Sequence, residues 1–256
     1  MIESVAIVTG ASSGIGKATA VRLSADFSCV ALVARERGKL EDVARVIKAK
    51  GRRALVIEQD LGVPAAAKTA IERTLSEFGR IDALLNIAGA VSGLGLFQMT
   101  DEQWQDGMNV KFHGARRLTL QAWESLKASK GSVVFVSGNA AVVPRVAGAA
   151  VGSINAAIEA LAKAFAGQAI EDGIQLNSVS PGAVMTGRRV SMLEKVAAAK
   201  QLSLEETKRV FLKEAGIARF GSPEDIAELM AFAVSPAARW MTGTVLRMDG
   251  GEVKSV

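Results

Sequence analysis

The sequence predicts an α/β fold, a Rossmann-type doubly wound sheet of seven parallel strands within a single domain. Short apolar or β-branched runs alternate with longer segments whose apolar positions recur at spacings of three and four. The runs are apolar on both faces, as in strands covered by helices on each side. Strands joined by helices pair in parallel through right-handed crossovers, which gives the doubly wound arrangement.

The predicted strands share this composition and cover residues 5–9, 29–34, 54–58, 83–87, 133–137, 174–179 and 245–248. Helical periodicity is clear over residues 36–50 and 64–78. Ser222 and Pro223 indicate another helix start, because serine caps a helix and proline suits its first position. No linker, repeat or low-complexity segment interrupts the pattern, so residues 1–256 form one predicted domain.

Two segments depart from ordinary amphipathic patterning. Residues 151–165 are small and apolar on nearly every side, which is typical of a helix buried on more than one face, and we expect it to pack against a neighbouring subunit. Residues 188–219 are charged and helical and follow the sixth strand, where doubly wound folds carry substrate-side insertions. This insertion is either a lid or a solvated surface helix.

Composition excludes several chemistries. The chain has a net charge of +5, one histidine (His113), one cysteine (Cys29) and no tyrosine. A zinc site or a Ser-His-Asp triad would have to include His113, so we predict neither and no metal site. The basic residues are dispersed without interleaved aromatic residues, which argues against nucleic-acid binding.

The expected location is the cytoplasm. Cys29 lies in a predicted strand and has no second cysteine to pair with, which favours a buried thiol in an intracellular protein. No apolar run has the length of a membrane span, and residues 1–4 carry an acid where a signal peptide is basic.

Three glycines follow the first strand and precede a helix: Gly10, Gly14 and Gly16. Glycine permits a tight turn and lets backbone N–H groups approach a pyrophosphate, while the helix N-terminus adds positive potential. The glycine pattern alone is weakly specific. Its place at the start of the first βαβ unit makes it a predicted dinucleotide-binding loop.

Residues 9–16, Thr-Gly-Ala-Ser-Ser-Gly-Ile-Gly, resemble the glycine segment of the short-chain dehydrogenase/reductase (SDR) family. The resemblance covers nearly the whole chain and continues at residues 60–61, 86–89, 181–186, 242–243 and 249–251. Together with the second strand, it predicts these nucleotide-binding residues: Gly10, Ser12, Ser13, Gly14, Ile15, Gly16, Arg35, Asp60, Leu61, Asn86, Ala88, Gly89, Asn155, Pro181, Gly182 and Thr186.

The end of the second strand indicates which nucleotide is bound. A carboxylate there would bind the ribose hydroxyls of NAD, but the strand ends at Ala34 and is followed by Arg35. The guanidinium donors of arginine suit a 2′-phosphate. The sequence therefore favours NADP over NAD.

The family's proton-transfer residues are a different matter. The resemblance implies a tyrosine that exchanges the proton on the substrate oxygen, and a lysine four residues later that lowers the pKa of that tyrosine and holds the ribose. It also implies an upstream serine that binds the substrate oxygen, and an asparagine. The match places Val151 at the tyrosine, Asn155 at the lysine and Gly138 at the serine, and only Asn109 is retained. The chain alone is therefore predicted to be inactive as a standard dehydrogenase.

Nearby side chains offer few substitutes. His113 follows Asn109 by four residues and titrates in a useful range, so it is a speculative catalytic residue. Ser137 should face away, because neighbouring side chains of a strand point to opposite sides. Ser153 is turned away on its helix, and Lys163 is two turns beyond Asn155.

The first functional hypothesis is a degenerate SDR oxidoreductase subunit that supports a catalytically intact partner in a hetero-oligomer. The resemblance suggests an alcohol or hydroxyacyl dehydrogenase or a ketoreductase, for example the inactive subunit of a heteromeric hydroxyacyl-CoA dehydrogenase with an acyl-CoA or other small-molecule substrate. Pairs such as Arg188-Arg189 and Arg116-Arg117 would suit its phosphates.

Other hypotheses stay open. The chain could be a homotetramer, an NADP(H)-binding sensor, or an SDR-fold enzyme of non-standard chemistry. Loss of the family lysine also leaves open whether NADP or NAD occupies the site.

Overall fold

The computed structural model describes residues 4–89 and 91–255, so the acid at position 3 lies outside the described residues. Within these ranges the chain forms seven strands and nine α-helices. The strands are β1 (Val5–Thr9), β2 (Cys29–Ala34), β3 (Arg53–Glu58), β4 (Ala83–Asn86), β5 (Ser132–Val136), β6 (Gln175–Pro181) and β7 (Val245–Met248). The helices are α1 (Gly14–Leu23), α2 (Arg37–Ala49), α3 (Ala66–Phe78), α4 (Asp101–Gly107), α5 (Gly114–Ser129), α6 (Ala149–Asp172), α7 (Gly187–Lys200), α8 (Leu204–Ala215) and α9 (Pro223–Ala233).

The strands form one sheet in the order β3-β2-β1-β4-β5-β6-β7, and every pair is parallel. This confirms the predicted fold class. Three predicted strands match the observed bounds, and the others differ by one or two residues at one or both ends.

Helices cover both faces of the sheet. Along β1, Ile7 packs with α3, α5 and α6, whereas its neighbours Ala6 and Val8 pack with α1, α2 and α9. The alternation follows from the pleat of a strand, and it explains why the strands are apolar at every position.

The chain reverses direction across the sheet between β1 and β4, which lie side by side. In doubly wound sheets, a crevice opens beyond the carboxyl ends of the strands at such a switch point. The segments that follow β1, β4, β5 and β6 therefore meet at one edge.

The charged insertion consists of two helices, α7 and α8, rather than one. Gln201 ends α7 in the left-handed conformation with φ of +54°. Ser203 then starts α8 through a reciprocal capping box with Glu206. The break follows from these two local features.

Helix α6 is longer than its predicted apolar segment. It spans 24 residues and, by length and composition alone, could cross a membrane. In the fold, Ile158, Ala162 and Ala166 pack it against the sheet, as in a core helix.

Candidate nucleotide-binding and catalytic site

The turn between β1 and α1 is built from glycines that leave no room for side chains. Gly10 has φ of +65°, and a Cβ there would lie 3.1 Å from the Cα of Ala88. A Cβ on Gly16 would lie 2.1 Å from the carbonyl oxygen of Gly10, so only glycine allows α1 to approach β1 this closely. The result is a backbone surface of the kind on which a diphosphate lies.

The buried hydroxyl of Thr9 joins β1 to the segment after β4. It accepts hydrogen bonds from the backbone N–H groups of Ile87 at 2.8 Å and Ala88 at 2.9 Å, and donates to the carbonyl of Leu85 at 3.2 Å. The two sides of the switch point are therefore held together by one side chain.

The N-terminus of α1 is suited to an anion. Ser13 is the N-cap residue of α1, and among the described residues its side chain makes no hydrogen bond to the helix. The first turn of α1 carries no acid. Thr186, the N-cap residue of α7, lies opposite, with its Cγ2 3.2 Å from where a Cβ on Gly14 would be. The glycine loop and the segment after β6 therefore face each other.

An arginine follows β2, at the position where the sequence predicts a 2′-phosphate contact. Arg35 is exposed and follows Ala34, the last residue of the strand. The next acid, Glu36, forms an ion pair with Lys39 at 2.7 Å. The carboxylate of Glu36 is therefore directed to its own helix.

Three of the predicted nucleotide-binding residues, Asp60, Leu61 and Asn86, have separate structural partners. Asp60 accepts a hydrogen bond from the N–H of Gly62 at 2.9 Å, which orders the turn after β3. Leu61 is buried beneath the start of α5, 3.2 Å from where a Cβ on Gly114 would be. Asn86 is buried and donates to the hydroxyl of Thr119 at 3.2 Å.

Two of the positions matched to family catalytic residues meet at the end of β5. Gly138 has φ of +151°, and a Cβ there would lie 2.9 Å from Nδ2 of Asn155. Asn155 is 2% exposed, and its amide donates to the carbonyl of Gly138 at 3.5 Å. Val151 is half-buried one turn earlier on α6. The absence of a side chain at position 138 makes room for Asn155.

A residue that the sequence analysis did not identify enters this site. Nζ of Lys111 donates to the carbonyl of Ser137 at 3.1 Å and also donates to Oδ1 of Asn155. The predicted Asn109 instead accepts a hydrogen bond from Gln105 at 3.1 Å, outside this cluster.

Local distortion accompanies this placement. Met108–His113 form a π-helical turn between α4 and α5. Such turns change which side chains face a site and occur frequently at functional positions. Periodicity based on an α-helix therefore misplaces the residues of this segment, and a lysine between Val110 and Phe112 was the only available signal.

The environment of Lys111 disfavours its charged form. Burial and, to a smaller extent, the positive charge of Arg188 lower the pKa of the Lys111 ammonium, Glu159 opposes the shift, and the net pKa is about 8. Arg188 itself donates to the carbonyl of Gly89 at 2.9 Å. Two cationic side chains therefore lie at one end of the cleft.

His113, the speculative catalyst, is half-buried against Phe112, with ring centroids 5.2 Å apart. Its Nδ1 is buried and has no hydrogen-bond partner among the described residues. Burial lowers the pKa of His113, and the charges of Arg117 and Arg116 act in the same direction. The imidazole is thus kept neutral.

Of the three other candidates, two are engaged elsewhere and the third is exposed. The hydroxyl of Ser137 donates to Glu159 at 2.6 Å, and Lys163 donates to the carbonyl of Gly243 at 3.0 Å. Ser153 is exposed on α6.

A polar cluster lies at the outer end of the cleft. The amide of Asn139 donates to Asp249 at 3.1 Å and to Glu252 at 3.2 Å. Gly182, which follows Pro181, lies so close to this cluster that a Cβ would be 2.6 Å from Cβ of Asp249. The C-terminal segment is thereby attached to the end of β6.

The residues present fit a dinucleotide. The glycine turn has no space for a side chain at Gly10 or Gly16, the N-terminus of α1 lacks acids, and a guanidinium follows β2. The glycine turn and the N-terminus of α1 suit a diphosphate, and the guanidinium suits a further phosphate.

Comparison with known proteins identifies the family. A family model described as enoyl-(acyl carrier protein) reductase matches residues 10–252, nearly the whole chain. The chain belongs to the short-chain dehydrogenase/reductase family, a class of NAD(P)-dependent oxidoreductases that includes ketoreductases.

Two curated relatives span almost all of the chain. The short-chain reductase protein NovJ of Streptomyces niveus is 29% identical over 249 residues, covering 97% of this chain and 94% of its own length. The 3-oxoacyl-[acyl-carrier-protein] reductase FabG of Staphylococcus aureus is 29% identical over 248 residues, with 96% of each chain covered.

A solved structure has the same fold. L-Sorbose reductase from Gluconobacter frateurii, in a complex with NADPH and L-sorbose, superposes with a TM-score of 0.95 at 29% identity. The match covers 100% of this chain and 98% of the other.

Proposed function

We propose that this chain is an NADP(H)-binding SDR subunit that lacks the family's tyrosine route for proton transfer and supports a catalytically intact family member in a hetero-oligomer. The observation that carries this proposal is the absence of tyrosine from all 256 residues, with Val151 at the matched position. Val151 has no proton to donate. Loss of a general acid typically lowers a rate by about 10² to 10⁴.

The surrounding substitutions support the same conclusion. Asn155 hydrogen-bonds but carries no charge, and Gly138 offers no hydroxyl to a substrate oxygen. Gly138 and Asn155 pack directly against each other. Restoring the family serine or lysine at only one of these two positions would therefore leave a clash or a gap. The matched positions form a self-consistent site without the family chemistry.

The nucleotide assignment rests on the glycine loop and Arg35. The loop supplies backbone donors and the N-terminus of α1 for the diphosphate, and Arg35 supplies a charged fork for a 2′-phosphate. NADPH in the complex of L-sorbose reductase supports the choice of NADP(H). Bound NADP(H) carries the hydride that family oxidoreductases exchange with substrate, and here the chain's residues hold it without supplying the proton.

An apolar groove between α5 and α6 supports association with a second chain of this fold. It is lined by Leu120, Trp123, Leu161 and Phe165, and Leu120 is 49% exposed. The indole N–H of Trp123 donates to Asp172 at 2.8 Å, which holds the ring in place. Family resemblance implies that these helices mediate subunit contacts, so we assign the partner to this face.

The substrate class proposed for the assembly is a hydroxyacyl thioester such as an acyl-CoA. Arg188 lies at the cleft beside Gly89, and Arg189 stacks on Phe211 with its guanidinium carbon 5.1 Å from the ring centroid. One relative is named 3-oxoacyl-[acyl-carrier-protein] reductase, and a 3-oxoacyl thioester is the oxidised counterpart of a hydroxyacyl thioester.

The test is co-expression with an intact family member encoded beside this chain, followed by measurement of complex mass and of nicotinamide oxidation or reduction with acyl-CoA substrates. We expect a mixed oligomer that is active, while this chain alone shows no turnover. Leu120→Glu should dissociate the mixed oligomer, because a charge in the groove is costly to bury. Val46→Glu, on the exposed side of α2, is the matched control and should leave it intact.

Two outcomes would contradict the proposal. Turnover by this chain alone would indicate an enzyme of non-standard chemistry, and its loss in His113→Ala would assign the proton to that residue. Tight NADPH binding by a homo-oligomer that ignores every intact family member would favour a sensor.

A further inference from the structure

We propose that Lys111 supplies, from the segment between α4 and α5, the ammonium that holds the nicotinamide ribose in this chain, in place of the side chain at position 155. The inference depends on the nucleotide binding included in the proposed function, but not on the partner subunit.

The Lys111 ammonium lies between Asn155 and the end of β5. Lys111 bonds to Asn155, the residue that stands at the family's lysine position, and to the carbonyl at the end of β5. Its charge therefore occupies the place that a lysine at position 155 would reach from α6. An ammonium has three N–H donors. Among the described residues, the Lys111 ammonium has two protein acceptors.

The side chain of Lys111 runs along the segment that follows β4. The aliphatic stem of Lys111 lies against Gly89, where a Cβ would be 3.1 Å from its Cδ. Gly89 directly follows Ala88, which contacts the glycine loop at Gly10. The glycine loop, the segment after β4 and the Lys111 ammonium thus form one continuous wall of the cleft.

Charge identifies the ligand chemistry. Arg188 is close enough to Lys111 to depress its charged form, so the two cations repel each other. The nearby acid, Glu159, already accepts a hydrogen bond from the hydroxyl of Ser137. A ligand rich in hydroxyl and phosphate oxygens, such as the ribose and diphosphate of a dinucleotide, would relieve this repulsion.

The neighbouring positions are adapted to this arrangement. Asn155 presents a neutral amide whose oxygen accepts from Lys111, whereas a lysine there would place two ammonium groups together. Gly138 leaves the space that the Asn155 amide occupies. Asn155 and Gly138 therefore accommodate a single positive charge at this point, that of Lys111.

The experiment is a titration of the full chain with NADPH, followed by nicotinamide fluorescence and calorimetry. Lys111→Met should weaken NADPH binding about 10- to 100-fold, the loss expected for a charge-assisted hydrogen bond. Lys127→Met removes the same charge from the exposed far end of α5 and should change the affinity less than about threefold.

A relocation variant tests the role of the ammonium itself. Lys111→Met combined with Asn155→Lys returns one ammonium to the same place from α6, and we expect NADPH affinity within about fivefold of wild type. Thermal unfolding of each variant, measured without nucleotide, shows that each is folded.

The pH dependence gives an independent readout. The groups facing Lys111 are Asn155 and Glu159 from α6 and Arg188 from α7. Wild-type affinity should fall as pH rises above about 8, since the neutral amine donates more weakly. The Lys111→Met variant should lose this dependence.

Three results would overturn the inference: a wild-type chain that does not bind NADPH, a folded Lys111→Met variant with unchanged affinity, or a folded relocation variant that stays as weak as Lys111→Met. Activity of the chain without a partner would refute the proposed subunit role and leave the assignment of Lys111 standing.

Discussion

Gly138 shows how one backbone conformation constrains the whole catalytic corner. Its φ of +151° is accessible to glycine but strained for residues with a Cβ. We predict that Gly138→Ala lowers the free energy of unfolding by about 1–3 kcal/mol, from strain and from the contact with Asn155. Urea denaturation measures the change.

The matched control is Gly38→Ala. Gly38 lies in α2, where a Cβ would meet nothing within 4 Å, and alanine there should be neutral or stabilising by up to about 1 kcal/mol. Equal effects of the two substitutions would show that the conformation of Gly138 is not strained for alanine.

Individual site residues were predictable where the backbone requires one residue type. The glycine loop could be identified because Gly10 and Gly16 perform a role that no other residue type performs at that turn. Lys111 could not, because the π-helical turn rotates side chains away from the α-helical register. Asn109 was selected from the resemblance, yet its side chain bonds to Gln105.

At the scale of elements, hydrophobic pattern determined most of the prediction. Cys29–Ala34 was predicted with its observed bounds because both of its faces are buried, which leaves a continuous apolar run. The break at Gln201 was missed because a left-handed residue other than glycine gives no clear sequence signal. The capping box of Ser203 and Glu206 was the available signal.

Helix α1 provides a prediction at this scale. Gly16→Ala places a methyl group 2.1 Å from the carbonyl oxygen of Gly10, so α1 must move away from β1. We expect loss of NADPH binding, measured by fluorescence titration, together with a lower melting temperature. Gly167→Ala in α6, where a Cβ would meet nothing within 4 Å, should leave both unchanged.

Failure of this expectation is easily recognised. If Gly16→Ala bound NADPH with wild-type affinity, then the close packing of α1 against the loop would not be needed for the diphosphate.

For the whole molecule, Lys111 links stability to pH. Its folded pKa of about 8 lies below the ordinary lysine pKa of 10.5, so the unfolded chain binds more protons between these values. The contribution of Lys111 to the free energy of unfolding therefore rises with pH across this window, by about 1–3 kcal/mol. The measurement is urea denaturation from pH 7 to 10.5 of wild type and Lys111→Met.

Only the difference between these two proteins reports on Lys111, because other groups titrate in both. Lys127→Met serves as a control of opposite sign, since Asp172 raises the pKa of Lys127 and its contribution is lost at high pH. If the difference in free energy of unfolding between wild type and Lys111→Met did not change with pH across this window, Lys111 would have an ordinary pKa.

The hydroxyl of Thr9 has a consequence for how the cleft meets its ligand. It anchors the backbone of Leu85, Ile87 and Ala88 beside the glycine turn through three hydrogen bonds made within the protein. That segment loses its conformational freedom when the chain folds, before any nucleotide arrives. The cleft is preorganised on this side, so association does not have to overcome the entropy of ordering it.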